Sequence, residues 1–121
     1  MKIILIRHGM TEGNLKRRYI GTTDEDLINT DCLKGDYPKC ERVVASPLKR
    51  CIQTAEYIYP NVDIEICDKL KECDFGDFEN KSYEELKDNP DYQKWLDSTK
   101  ILKIAAKTDF LRALRSVTRR L

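Results

Sequence analysis

The chain opens on a nearly continuous apolar run, Ile3-Ile4-Leu5-Ile6, set between Lys2 and Arg7. An isoleucine-rich run that does not alternate has the pattern of a strand covered on both faces, as in a parallel sheet. Residues 2–7 are therefore expected to form a first, buried strand, ended by Gly9. Thr11 is placed to cap a short helix within residues 12–19. Residues 20–40 are polar and punctuated by Gly21, Gly35 and Pro38, with one short helix expected within 28–36. Residues 42–45 (RVVA) read as a second strand. Ser46-Pro47 follows as N-cap and first helical position, opening a helix to about Tyr59. Leu48, Cys51, Ile52, Ala55 and Ile58 recur there at helical spacing, and Pro60-Asn61 stops it. Residues 63–67 (DIEIC) alternate as a third strand, so that strand, helix and strand make a βαβ unit. Ser82 caps a helix over 83–88, with Glu85 at the capping-box position. Asn89-Pro90 breaks that helix, and Asp91 to Leu96 reads as a further helical turn. No internal repeat or low-complexity stretch interrupts the pattern.

Composition changes this picture mainly near the end. The 121 residues are 40% hydrophobic and 36% charged, a globular composition on the charged side with one domain's worth of chain. The net charge of +1 selects neither nucleic acid nor membrane. Its distribution is uneven. Residues 1–99 carry 15 basic against 20 acidic residues, a net of −5, while residues 100–121 carry 7 basic residues against Asp109 alone, a net of +6. The chain is accordingly divided into a unit over 1–99 and a divergent basic tail over 100–121. In the tail, Phe110, Leu114, Val117 and Leu121 mark one helix face, capped by Thr108 or Asp109, with Arg112, Arg115, Arg119 and Arg120 elsewhere. That face reads as a solvated basic helix or, more sharply, as a membrane-surface or partner helix.

The five cysteines are odd in number and form no C-x-x-C pair, so a disulfide framework is not expected. The only histidine lies far from them in sequence, and no structural metal is expected. Free thiols suit a reducing compartment. The N-terminal apolar run is too short for a signal peptide and no stretch is long enough to span a bilayer, so a cytoplasmic location is expected.

Chemistry concentrates first at Arg7-His8-Gly9, directly after the expected strand. Ligands in α/β folds bind at the carboxyl ends of strands. A histidine there can attack phosphorus through a ring nitrogen and form a covalent intermediate, and its neutral form is available near pH 7. The neighbouring arginine offers a planar fork of donors that matches phosphate oxygens. An isolated R-H-G is more often a core histidine beside a surface arginine; the wider context alters that balance. The run L-I-R-H-G-M-T-E-G-N is followed by Gly21-Thr22-Thr23-Asp24, then by V-A-S-P-L-K-R-C-I-Q-T-A at 44–55, then by L-K-E-C-D-F-G-D-F-E-N at 70–80.

This ordered set resembles the histidine phosphatase superfamily in its phosphoglycerate-mutase-like branch, and most of all its small alpha-ribazole phosphatase-like members, over about residues 1–98. The resemblance implies a three-layer α/β/α fold with a mostly parallel sheet. It implies a cofactor-independent phosphomonoesterase acting on a small phosphate monoester through a phosphohistidine at His8. Arg7 and Arg50 would hold the phosphoryl oxygens, Asn14 would contact the phosphate or orient the site, and Gly21 and Thr22 would line the substrate loop. Glu72 would protonate the leaving alkoxide and then serve as base for water, with Glu12 and Asp74 as weaker candidates for that acid. The chemistry is consistent: the charge of a transferring phosphoryl group is met by fixed donors, two arginines supply them without a metal, and a poor alkoxide leaving group needs a proton.

The pattern also departs from the family. Its second active-site histidine, in a later S/G-H-G-G-like motif, has no counterpart in a chain with one histidine. The family's catalytic domain is considerably longer, and agreement fades after about Ser98. The expectation is a domain that is C-terminally truncated or frameshifted, with a sheet incomplete at its C-terminal side and an unpaired edge open to self-association. The alternatives are a non-catalytic phosphate-binding remnant or a phosphoglycerate mutase-type phosphotransferase. Nucleic-acid binding by the tail is a distant reading, since the aromatic platforms of single-strand binders are not evident there.

Overall fold

A computed structural model describes residues 2–98. The basic helix read from Phe110 onward, and the tail over 100–121, lie outside the described residues.

The βαβ unit forms as expected. Val43–Ala45 (β1) and Ile64–Ile66 (β2) pair in parallel, with Val43 opposite Ile64 and Ala45 opposite Ile66. The crossover between them is a helix over Lys49–Ile58 (α2), ended at Tyr59. Its start differs from the expectation. Leu48 is the N-cap, and Ser46 instead accepts the Leu48 N–H on its hydroxyl at 3.4 Å, so Ser46-Pro47 forms a bend before the first turn. The fold is thus mixed α/β with a parallel sheet, two-stranded among the described residues.

The first expected strand is not formed. Residues 2–7 pair with no strand among the described residues, and Ile3, Ile4, Leu5 and Ile6 are between 38% and 63% exposed. The physical reason is the absence of a lateral partner. A cleft of about 650 Å³ separates residues 2–6 from the wall formed by residues 38–46, with Cys51, Thr54, Ala55 and Ile58 of α2 along it. An apolar run becomes a strand only when another backbone stands about 4.8 Å away to complete its ladder.

Two short helices begin where their caps require. Glu12–Leu15 (α1) is capped reciprocally: Thr11 Oγ1 accepts the Asn14 N–H and Asn14 Oδ1 accepts the Thr11 N–H, both at 3.2 Å. It ends early because Arg17 takes φ 54 and turns the chain back. Arg18 then bridges antiparallel to Ser82, and Tyr19 exchanges backbone hydrogen bonds with Asn80 and Lys81. Within α1, a Cβ on Gly13 would stand 2.4 Å from Ile20 Cγ1, so only glycine admits the returning segment. Tyr83–Leu86 (α3) carries the expected Ser82/Glu85 capping box. The expected turn near Asp91 is a helix over 90–98 (α4). Asn89 caps it, accepting the N–H groups of Asp91 and Tyr92 at 2.9 and 3.2 Å, so Asn89-Pro90 starts a helix as well as ending one.

Helix α4 docks through aromatic rings. Tyr19, Phe75, Phe78, Tyr83, Tyr92 and Trp95 form one cluster with centroids 5.2–6.2 Å apart. Tyr92 is buried within it and its hydroxyl meets that of Tyr19 at 2.7 Å. Burial, and then that hydrogen bond, push the Tyr92 phenol up to about 12. This cluster ties residues 19, 75 and 78 together, and so anchors the two loops that meet at the site. No described helix is long and apolar enough to cross a membrane.

Candidate functional site

The apolar face expected of α2 is only half covered; the residues that the helix buries fully are Arg50 and Thr54. They stand one turn apart, so both point to the same side. Thr54 Oγ1 accepts the Gly9 N–H at 2.9 Å and donates to the Arg50 carbonyl at 2.7 Å. That pair of bonds pins the residue after His8 to the helix that carries Arg50. Thr54 was not singled out in the sequence, although its place four residues after Arg50 in R-C-I-Q-T was a usable signal.

His8 is half-buried. Its Nδ1 lies 2.7 Å from the Gly9 carbonyl oxygen. A carbonyl can only accept, so Nδ1 carries the proton and donates it. In the neutral ring Nε2 then holds a free lone pair, the form a nucleophile needs. Burial, above all, lowers the His8 pKa from its ordinary value; the bond to Gly9 opposes this, Arg50 and Arg7 reinforce it, and Glu72 opposes it. Burial raises the pKa of the Cys51 thiol on α2, and the Arg50 charge opposes that rise. Glu72 is exposed, in the loop that leads to Gly76.

Because His8 is the only histidine, its imidazole gives the only histidine ring signals in a proton NMR spectrum. Its midpoint is expected below the ordinary value of about 6.5. The imidazole is then neutral throughout the neutral range and gains its proton only in mild acid. A midpoint at or above that value would contradict the described burial.

Arg50 is 1% exposed. Its Nη1 donates to the Thr23 carbonyl at 2.8 Å and its Nη2 to the Gly21 carbonyl at 2.9 Å, while its buried Nε has no partner among the described residues. No carboxylate pairs with it there. Arg7 is exposed at the end of the N-terminal segment.

The remaining candidates divide. Gly21 is buried, and its place is set by close approach: a Cβ there would lie 1.8 Å from the Cys73 carbonyl oxygen. Thr22 is exposed beside it, its N–H held by Glu79. Asn14 commits its carboxamide oxygen to the α1 cap, which leaves its NH2 as the group able to face an anion. The two weaker acid candidates are engaged elsewhere: Glu12 in an exposed ion pair with Lys16 at 2.6 Å, and Asp74 in a turn, accepting the Gly76 N–H at 2.8 Å. Sequence reasoning missed Glu79, which gathers the whole 21–23 loop.

The histidine phosphatase superfamily (branch 1) matches residues 3–121. An uncharacterized phosphatase of Bacillus subtilis, PhoE, is 39% identical over 92 residues, covering 69% of this chain and 48% of that protein. Among solved structures, phosphoserine phosphatase from Entamoeba histolytica in complex with 3-phosphoglyceric acid is 30% identical with a TM-score of 0.61, over 75% of this chain and 49% of that one. The alpha-ribazole phosphatase from Shigella flexneri is 26% identical with a TM-score of 0.65, over 77% and 52%. The chain spans about half the length of the curated relatives it matches.

Proposed function

Because the chain belongs to the histidine phosphatase superfamily, we propose that it is a phosphomonoesterase that transfers the phosphoryl group of a small phosphate ester to Nε2 of His8. The observation that carries this reading is Arg50. A guanidinium buried to 1% exposure, with no carboxylate partner and an unpartnered Nε among the described residues, sits in an environment that calls for an anion. The imidazole that feels its charge presents a free nitrogen lone pair.

The steps follow from these groups. Nε2 of His8 attacks phosphorus as the bond to the ester oxygen breaks. Arg50 and the exposed Arg7 meet the charge on the equatorial oxygens, with the NH2 of Asn14 as a further donor. The Glu72 carboxyl gives its proton to the departing alkoxide. As a carboxylate it then takes a proton from water, whose oxygen attacks phosphorus while the P–N bond breaks. Inorganic phosphate leaves and His8 is restored. Gly21 and Thr22 border the ester. The phosphoserine and alpha-ribazole phosphatases to which the chain is similar favour a small phosphorylated metabolite as substrate. The five free thiols favour a reducing, cytoplasmic setting.

The phosphoenzyme tests this directly. Brief incubation with a phosphate monoester and quenching in alkali is expected to leave an acid-labile, alkali-stable phosphoryl group on the His8 peptide. An adduct on any other residue, or no adduct under conditions where ester is consumed, would refute it.

A further inference from the structure

Glu79 and the loop it holds are separated by almost 60 residues of chain. Its carboxylate accepts the Gly21 N–H on both oxygens at 3.0 Å, the N–H groups of Thr22 and Thr23 at 3.2 Å, and the Thr23 hydroxyl at 2.6 Å. The Phe75 N–H adds a longer contact at 3.5 Å. Burial would raise this carboxyl's pKa, but the bonds from Thr23, Gly21 and Thr22 outweigh it and leave the group below the usual range, hence anionic. With three consecutive N–H groups drawn to one side of the loop, the carbonyls of Gly21 and Thr23 face the other side. Those are the two carbonyls that receive Arg50. An anion, a short stretch of backbone dipoles and a buried cation are thus joined in line, an arrangement in which each hydrogen bond polarises the next.

Resting on the reading of Arg50 as the phosphate ligand, we propose that Glu79 is the positioning residue of the phosphate site. By holding the 21–23 loop it spends one donor of each Nη on fixed carbonyls and leaves Nε and the remaining Nη protons set for the phosphoryl group. Glu79 itself never touches the ligand.

The test is a titration of the full chain with inorganic phosphate, followed on the His8 ring signal, in wild type, Glu79→Gln, Arg50→Lys and the double variant. Glutamine keeps the shape but loses the charge and turns an NH2 toward donors. Glu79→Gln is expected to weaken phosphate binding by roughly tenfold or more, as befits loss of hydrogen bonds to a charged group. Arg50→Lys is expected to weaken it too, and the double variant is expected to be no worse than Arg50→Lys, because Glu79 acts only through Arg50. A purely structural role would make the two losses add. Additive losses, or a Glu79→Gln affinity within about twofold of wild type, overturn the proposal. If a variant does not fold, Thr23→Val removes one hydroxyl from the carboxylate and is expected to weaken binding by roughly threefold; unchanged affinity there also overturns it. Wild type that does not bind phosphate, or Arg50→Lys that binds it normally, instead removes the underlying reading of Arg50, and this proposal with it.

Discussion

Replacing His8 with alanine is expected to reduce p-nitrophenyl phosphate hydrolysis by at least about a thousandfold, to the buffer background. No second imidazole exists in the chain to accept the phosphoryl group. The alanine variant keeps Gly9 and its bond to Thr54, so the loss is of the nucleophile and not of the backbone that carries it. Arg50 remains in place, and phosphate affinity is expected to survive. Initial rates of the two purified proteins decide the matter. Equal rates above background would show that hydrolysis does not pass through His8. Equal rates at background would show that this chain does not turn over the ester, and would overturn the proposed activity.

Gly21→Ala is expected to destabilise the protein by about 3 kcal/mol or more, because overpacking against backbone cannot be relieved by a rotamer change. The added methyl would meet the Cys73 carbonyl oxygen at 1.8 Å, Phe75 Cδ2 at 2.9 Å and Glu79 Oε1 at 3.0 Å. Relief requires the 19–23 and 71–75 segments to part. That movement would pull Gly21 N–H from Glu79 and its carbonyl from Arg50, so phosphate affinity is expected to fall with stability. The denaturant midpoint measures the first effect. A change below about 0.5 kcal/mol, the size of an ordinary surface substitution, would show that the two segments are not in contact.

What could be read from the chain alone was what is local. The caps at Thr11 and Ser82 need partners only three residues away, and both formed as expected. Strands β1 and β2 and helix α2 follow from alternation and helical spacing within about 25 residues. His8, Arg50 and Glu72 were named by motif, from the residues around each of them in the chain. The rest depends on distant partners. Ile3-Ile4-Leu5-Ile6 has a strand's composition, but composition cannot supply a neighbouring backbone, and the run lies beside a cleft instead. Arg50 was expected to hold phosphoryl oxygens, but its near-complete burial could not be read locally, because the carbonyls that receive it lie more than 25 residues earlier. Glu79 carries no local signal, since its worth lies in donors brought from the far side of the fold.

The aromatic cluster has an optical consequence. Trp95 is the only tryptophan in the sequence, and it packs against Tyr19, Phe75, Phe78 and Tyr92. Tyr19 and Phe75 flank Gly21 and Glu79 in sequence and in space. The indole therefore reports on the seating of the phosphate loop through its ultraviolet emission. Water entering the cluster shifts that emission to the red, while a change confined to the imidazole leaves it where it was. Fluorescence can thus separate a displaced loop from a lost nucleophile without label, substrate or turnover.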